Sequence, residues 1–88
     1  MSKVSNKILP LELIDKAIGS KIWILMKNPN DPNIVGTLQG FDDFVNLVLT
    51  DATEYFVDKK IKREIGEILL NGNHIALMIP GGAGPAGF

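Results

Sequence analysis

The apolar residues of this chain recur first at helical spacing and then at the spacing of strands. The helical segment begins at Pro10, repeats apolar residues at Leu11, Ile14 and Ile18, and ends at Gly19. Proline is favoured at the first position of a helix, and glycine at its end. A helix of about nine residues is marginal alone in water, so we expect it to pack on the rest of the fold.

Five later segments are rich in β-branched and aromatic residues and therefore predict strands. They cover residues 21–27, 33–41, 44–57, 65–70 and 74–79. Glycines at 36 and 40 interrupt the second strand, and glycines inside a strand commonly mark bends or bulges. We predict a mainly β fold in which the helix precedes a strongly bent five-stranded antiparallel sheet, forming a partly open, SH3-like barrel.

Two connections between these strands have distinctive sequences. The charged run from Asp58 to Glu64 predicts a solvated loop, and its basic residues also suit contact with phosphates. Asn71-Gly72 is the strongest short hairpin signal in the chain, so it predicts a tight turn that leads into the last strand.

The last strand is apolar on both faces over residues 75–79 and contains no charge or internal proline. Because an exposed edge of this kind aggregates unless another chain pairs with it, we expect oligomerisation through strand addition. The predicted organisation is a flexible N-terminus at 1–9, one domain at 10–80, and a flexible glycine-rich tail at 81–88. We expect the final residue, Phe88, to be unpacked.

The composition restricts the classes of function. The 88 residues include no cysteine, which excludes a disulfide scaffold and a thiolate metal site. The net charge of −1 argues against binding that depends on broad phosphate neutralisation, so any contact with nucleic acid would depend on the bases. No apolar run approaches the roughly 18 residues of a membrane span, and the first residues lack the apolar centre of a signal peptide. We expect a protein that works inside the cell without a cofactor or a membrane partner.

The candidate chemistry lies in residues 36–49, G-T-L-Q-G-F-D-D-F-V-N-L-V-L. In an extended chain, Asp42, Phe44 and Asn46 project to one face, while Val45, Leu47 and Leu49 point to the other. Phe44 is suited to stack on a nucleobase, which is worth about 1–3 kcal/mol per base. The carboxamide of Asn46 complements the edge of uracil, and Asp42 would orient that carboxamide by accepting a hydrogen bond from it. The structural alternative is a core ring at Phe44 and a turn-stabilising amide at Asn46.

This stretch and L-L-N-G-N-H-I at 69–75 resemble the two signature segments of the Sm and like-Sm (LSm) family of RNA-binding ring proteins. The resemblance spans nearly the whole chain. It implies a helix on a bent five-stranded sheet, and a heteroheptameric ring in which the fourth strand of one subunit pairs with the fifth strand of the next. It also implies non-catalytic binding of uridine-rich RNA at the pore, through Phe44, Asn46, Asn71 and Gly72 with Asp42 in support.

Rings of this family act in two compartments, which implies a location in both nucleus and cytoplasm. Nuclear rings bind the uridine-rich 3′ end of U-six small nuclear RNA in pre-mRNA splicing, whereas cytoplasmic rings promote mRNA decapping and decay. In isolation from other ring subunits, the chain could instead form a homo-oligomer. Most members carry arginine where this chain has Asn71, so a guanidinium on the other face of the base is missing. We therefore predict that this subunit contributes less to RNA affinity than subunits with that arginine.

Two other classes of function remain to be compared with RNA binding. A small barrel also suits peptide binding, which would depend on Trp23 rather than on Phe44. An enzyme could use Asp42 and Asp43 as paired carboxylates, but neighbouring residues of an extended chain point to opposite faces. The only histidine, His74, stands alone beside a turn, so we expect it on the surface and not in a catalytic site.

Overall fold

The computed structural model describes residues 11–44 and 46–88, which form one helix and a single sheet. Helix α1 (Leu11–Lys16) precedes strands β1 (Lys21–Met26), β2 (Asn33–Phe41), β3 (Leu47–Phe56), β4 (Ile61–Leu70) and β5 (Ile75–Pro80), with a 3-10 turn at Gly72–His74. All pairings are antiparallel, and the order across the sheet is β4-β3-β2-β1-β5. The predicted fold class is therefore confirmed. The predicted flexible segment at 1–9 and helix start at 10 lie outside the described residues.

A single cluster of buried apolar side chains joins the helix to all five strands. Its members are Ile14, Ala17, Ile22, Ile24, Ile34, Leu38, Leu47, Leu49, Ala52, Leu70, Ile75 and Met78. The strand members alternate with partly exposed residues, as a sheet with one covered face requires. Ile18, expected on the packed face of the helix, is instead 42% exposed because α1 ends at Lys16. Among the residues that the structure describes, no helix has the length and apolar character needed to cross a membrane.

The predicted bends at the glycines of β2 are confirmed. The register between β2 and β3 shifts between Val35 and Thr37 and again between Leu38 and Gly40. A Cβ on Gly36 would lie 3.2 Å from the Cα of Ala52 on β3, so the strands approach more closely here than a side chain would allow.

Strand β4 begins earlier than the sequence predicts. Residues 61–64 continue the ladder, with Glu54 opposite Arg63 and an ion pair of 2.7 Å between Nη2 and Oε1. The predicted solvated loop is therefore limited to the turn at 57–60. The charged residues misled the prediction because β4 is an edge strand, and edge strands tolerate charged side chains while remaining paired.

Strands β4 and β5 do not form the predicted hairpin. β5 pairs with β1, beginning with Ile75 opposite Met26, whereas β4 pairs with β3. Within the described part of the chain, β4 and β5 are thus the two edges of the sheet. Asn71 has a φ of −82°, whereas the tight hairpin turn expected from Asn-Gly needs positive φ.

The C-terminal tail packs on the outside of the sheet. The ring of Phe88 meets the ring of Tyr55 edge to face, with 5.2 Å between their centroids. Gly84 lies against the side chain of Val35. The prediction that Phe88 is unpacked is wrong, because Tyr55 lies 33 positions earlier on β3 and only the fold brings the rings together.

Candidate nucleic-acid interface

The segment between β2 and β3 is a turn organised by one carboxylate. Oδ1 of Asp42 accepts hydrogen bonds from the backbone N–H groups of Phe44 and Asn46, each at 2.9 Å. Oδ2 accepts from Nδ2 of Asn46 at 3.0 Å, and the backbone N–H of Asp42 donates to the Asn46 carbonyl at 3.2 Å. The predicted extended alternation through this segment is therefore wrong, because a short acidic side chain that satisfies nearby N–H groups favours a turn.

These hydrogen bonds also stabilise the ionised form of Asp42. The backbone N–H of Asn46 is the largest cause holding the pKa of this carboxyl below its ordinary value of 3.8, and the Asn46 side chain is the next. A carboxylate engaged in this way is a poor general base, because its proton affinity is low. The geometry therefore gives Asp42 a positioning role and offers no support for the paired-carboxylate enzyme.

The turn leaves an aromatic ring uncovered. Phe44 is 80% exposed, so the structural alternative of a core ring is excluded. Asn46 is partly buried, and the next residue, Leu47, lies wholly in the core. The predicted contact from the Asn46 amide to Asp42 is present. That contact uses one N–H of the amide, and no hydrogen bond among the described residues uses the second N–H or the amide oxygen, so both can bind another group.

The second segment is a capped 3-10 turn. Oδ1 of Asn71 accepts from the backbone N–H of Asn73 at 2.8 Å, and the Asn71 carbonyl accepts from the N–H of His74 at 3.0 Å. Gly72 is buried, whereas Asn71 and His74 are exposed, so the surface position predicted for His74 is confirmed. Asn71 thus shapes the connection from β4 to β5, with its side-chain oxygen turned to its own backbone.

The sheet brings both segments to the same end of the β3–β4 ladder. Leu47 stands opposite Leu70, so Asn46 precedes and Asn71 follows the final pair. Lys27 reaches this region as well, because its backbone N–H donates to the His74 carbonyl at 2.8 Å. No local pattern in the sequence relates this exposed cation, which follows β1, to the turn before β5.

The interface therefore combines a fixed backbone, the exposed ring of Phe44 and the oriented amide of Asn46. The carboxylate of Asp42 is engaged by hydrogen bonds within the turn. In the part of the chain that the structure describes, no cluster of three histidine, cysteine or acidic side chains is placed to hold a metal ion. This arrangement suits recognition of a flat ring with a hydrogen-bonding edge, such as an unstacked base.

Comparison with known proteins gives relatives over nearly the whole chain. The LSM domain family matches residues 12–80. A Dictyostelium discoideum protein described as a probable U6 snRNA-associated Sm-like protein LSm5 is 54% identical over 84 residues, covering 93% of this chain and 84% of that protein. The Schizosaccharomyces pombe LSM complex subunit lsm5 is 52% identical over 79 residues, covering 90% of this chain and 96% of the relative.

Solved structures share the same fold. An Sm-like protein from Archaeoglobus fulgidus, AF-Sm2, has a TM-score of 0.69 and 37% identity, covering 86% of this chain and 99% of that one. A heptameric archaeal Sm protein also has a TM-score of 0.69, with 25% identity over 78% of this chain and 96% of that one. These likenesses cover the helix and the sheet together.

Proposed function

The chain belongs to the LSm family of Sm-like proteins, and from this membership we propose that it is a non-catalytic RNA-binding subunit of a ring of LSm chains. The observation that carries the proposal is the Asp42 turn, in which three accepted hydrogen bonds hold an exposed ring and an oriented amide side by side. Stacking on Phe44 would supply much of the affinity, because the chain has a net charge of −1 and cannot depend on phosphate neutralisation.

Asn46 would read the edge of the stacked base. Its remaining N–H and its amide oxygen form an adjacent donor and acceptor, which match a uracil carbonyl and the neighbouring N3–H. Asp42 prevents the amide from flipping, because only the Nδ2 end can donate to a carboxylate. Together with the exposed Asn71 and the buried Gly72 on the adjacent turn, these residues form the proposed RNA site.

The two edges of the sheet supply the surfaces for ring assembly. β4 exposes Ile61 and Leu69, which are 53% and 67% exposed, and β5 exposes Leu77 at 42%. Neither edge pairs with the other inside the described chain, so each retains backbone groups that can extend a ladder. We expect β4 of one subunit to pair with β5 of the next, with other LSm chains as neighbours or with copies of itself when the chain is isolated.

The names of the relatives support a more specific assignment. The Dictyostelium relative is described as U6 snRNA-associated, and the fission yeast relative as a subunit of an LSM complex. The assignment is to the fifth like-Sm protein, LSm5, as a subunit of a heteroheptameric ring that binds uridine-rich RNA ends. It includes a nuclear ring on U6 snRNA in splicing and a cytoplasmic ring in mRNA decapping and decay.

Native mass spectrometry of the complex purified through this chain from its own cells tests the assignment. We expect a mass equal to seven different LSm chains, with or without RNA, and the subunit that differs between rings identifies the nuclear or the cytoplasmic form. Fractionation of nuclei and cytoplasm before purification separates the two. A lone chain, or a complex that contains no other LSm protein, would overturn the proposal.

A further inference from the structure

The outer face of the sheet contains an apolar residue that the barrel core does not bury. Val35 follows Ile34, whose side chain lies in the core cluster, so Val35 points to the opposite face of β2. That face would normally be open to solvent, yet Val35 is only 5% exposed. Something outside the barrel therefore covers it.

The cover is the C-terminal segment after β5. The backbone N–H of Gly81 donates to the Lys21 carbonyl at 2.8 Å and continues the ladder between β1 and β5. The backbone N–H of Gly82 donates to the Ile79 carbonyl at 3.1 Å, which closes a turn and directs the following residues over the sheet. It then passes Trp23 on β1 and Val35 on β2, which stand opposite each other in the ladder. The segment crosses the strands and does not extend the sheet edge.

The end of the segment is held by rings. Phe88 meets Tyr55 of β3 edge to face, and the ammonium of Lys60 lies 5.6 Å from the centre of the Phe88 ring. Trp23 is fixed beneath the start of the segment, because its Nε1 donates to Oδ1 of Asn33 at 2.8 Å. A shallow groove on the outer face is thus formed by Trp23, Val35 and Tyr55. Residues 82–88 of the same chain occupy it.

The groove accepts only a segment with glycine at two positions. A Cβ on Gly82 would lie 2.8 Å from the Cβ of Trp23, and one on Gly84 would lie 2.9 Å from Cγ2 of Val35. Gly84 also has a φ of +93°, which disfavours any side chain. Gly81 and Gly87 have positive φ too, but their Cβ atoms would meet nothing within 4 Å and the flexible end of Lys60, respectively.

We propose that residues 82–88 are a removable strap that occupies, in the same molecule, a docking groove for a glycine-rich partner segment that carries an aromatic residue. The chemistry of the partner follows from that of the strap: glycine over Trp23, glycine over Val35 and a ring against Tyr55. Glycine loses more backbone freedom on ordering than other residues, which offsets part of the stability of the closed strap and favours its release. The groove is separate from the Asp42 turn and does not depend on RNA binding.

Trp23 is the only tryptophan in the chain, so its fluorescence reports the strap directly. The test compares the full chain carrying Gly82→Ala with Gly84→Ala against a matched variant carrying Ala83→Ser with Ala86→Ser. Ala83 and Ala86 lie in the same segment but are exposed and do not have positive φ, so serine at these positions does not clash with the groove or strain the backbone. Circular dichroism and thermal unfolding establish that both variants keep the folded barrel.

We expect the variant with Gly82→Ala and Gly84→Ala to shift Trp23 emission to longer wavelength and to increase its quenching by acrylamide. The control variant should have the same emission and quenching as the wild type. A Phe44→Ala variant should leave the signal unchanged, which separates this proposal from that of the RNA site. Equal effects of the glycine pair and the alanine pair, or no effect of either, would show that the strap is not held by its fit to the groove.

A free peptide with the sequence of residues 81–88 tests docking from outside the molecule. It should restore the protected Trp23 signal of the opened variant, and its Phe88→Ala form should not. The tethered strap competes at an effective concentration on the order of 1 mM, so the wild-type chain should bind the peptide more weakly than the opened variant, by a factor of roughly 1 mM divided by the Kd of the peptide. Absence of binding to the opened variant, or equal binding to the wild type, would overturn the docking groove.

Discussion

Phe44 and Phe88 are both near the surface, but Phe44 is held in place by its backbone and Phe88 by its ring. Around Phe44 the backbone is fixed by hydrogen bonds to Asp42, while the ring itself is 80% exposed. Phe88 is held by its ring, against Tyr55 and Lys60, at the end of a glycine-rich backbone. A rigid backbone that presents an uncovered ring is prepared to bind a flat ligand, whereas a covered ring at the end of a flexible sequence closes a surface.

Asp42→Ala should cause the largest loss of RNA affinity. The substitution removes the acceptor that fixes both Phe44 and Asn46, so we expect a greater loss of affinity for oligouridine than any change of the ring alone would cause. Fluorescence anisotropy of oligouridine titrated with the assembled ring measures this affinity. Asp43→Ala removes the same charge one residue later and is the matched control. Equal losses for the two variants would show that charge, and not the hydrogen-bonded turn, is responsible.

Phe44→Ala should weaken RNA binding by about 1–3 kcal/mol, or roughly five- to 150-fold, because it removes the stacking surface. Val57→Ala is a suitable control, since Val57 is an apolar residue, 44% exposed, at the other end of β3. Isothermal titration of uridine-rich RNA into the assembled ring gives both affinities. An unchanged affinity for Phe44→Ala, or the same loss for Val57→Ala, would remove Phe44 from the RNA site.

Asn71→Arg should increase the affinity of the site for RNA. A guanidinium over the second face of the base adds about 0.5–1 kcal/mol at an exposed position, or a roughly two- to fivefold higher affinity. The gain is opposed by loss of the Asn71 cap on Asn73. Asn71→Lys adds the same charge without the planar group. If lysine increases the affinity as much as arginine, then phosphate attraction and not stacking explains the gain.

The smallest effect should be that of pH in the neutral range. The pKa of Asp42 is lowered from 3.8 in the folded chain, so its contribution to the turn is complete above 3.8 and is lost only as the pH falls through the lower folded value. The amide resonances of Phe44 and Asn46, followed by NMR, should therefore stay constant from about pH 8 to pH 5. A midpoint above 3.8 would contradict the assigned hydrogen bonds.

Local patterns predicted most of the strands because β-branched and aromatic residues are concentrated in them. They failed where a polar residue had two possible uses. Asn71-Gly72 has the sequence of a hairpin, but β5 gains more by pairing with β1, so Asn71 caps a 3-10 turn. The oriented Asn46 amide was predictable because its partner is four residues away. The contacts of Phe88 were not, since they depend on a distant strand.

Photo-crosslinking of uridine-rich RNA carrying 4-thiouridine to the assembled ring, followed by mass spectrometry of the linked peptides, tests the central claim most directly. We expect crosslinks on this subunit at the Asp42–Asn46 turn, centred on Phe44, and none on the outer groove of Trp23 and Tyr55. Crosslinks at Trp23, Tyr55 or the 82–88 strap, with none at Phe44, would contradict it.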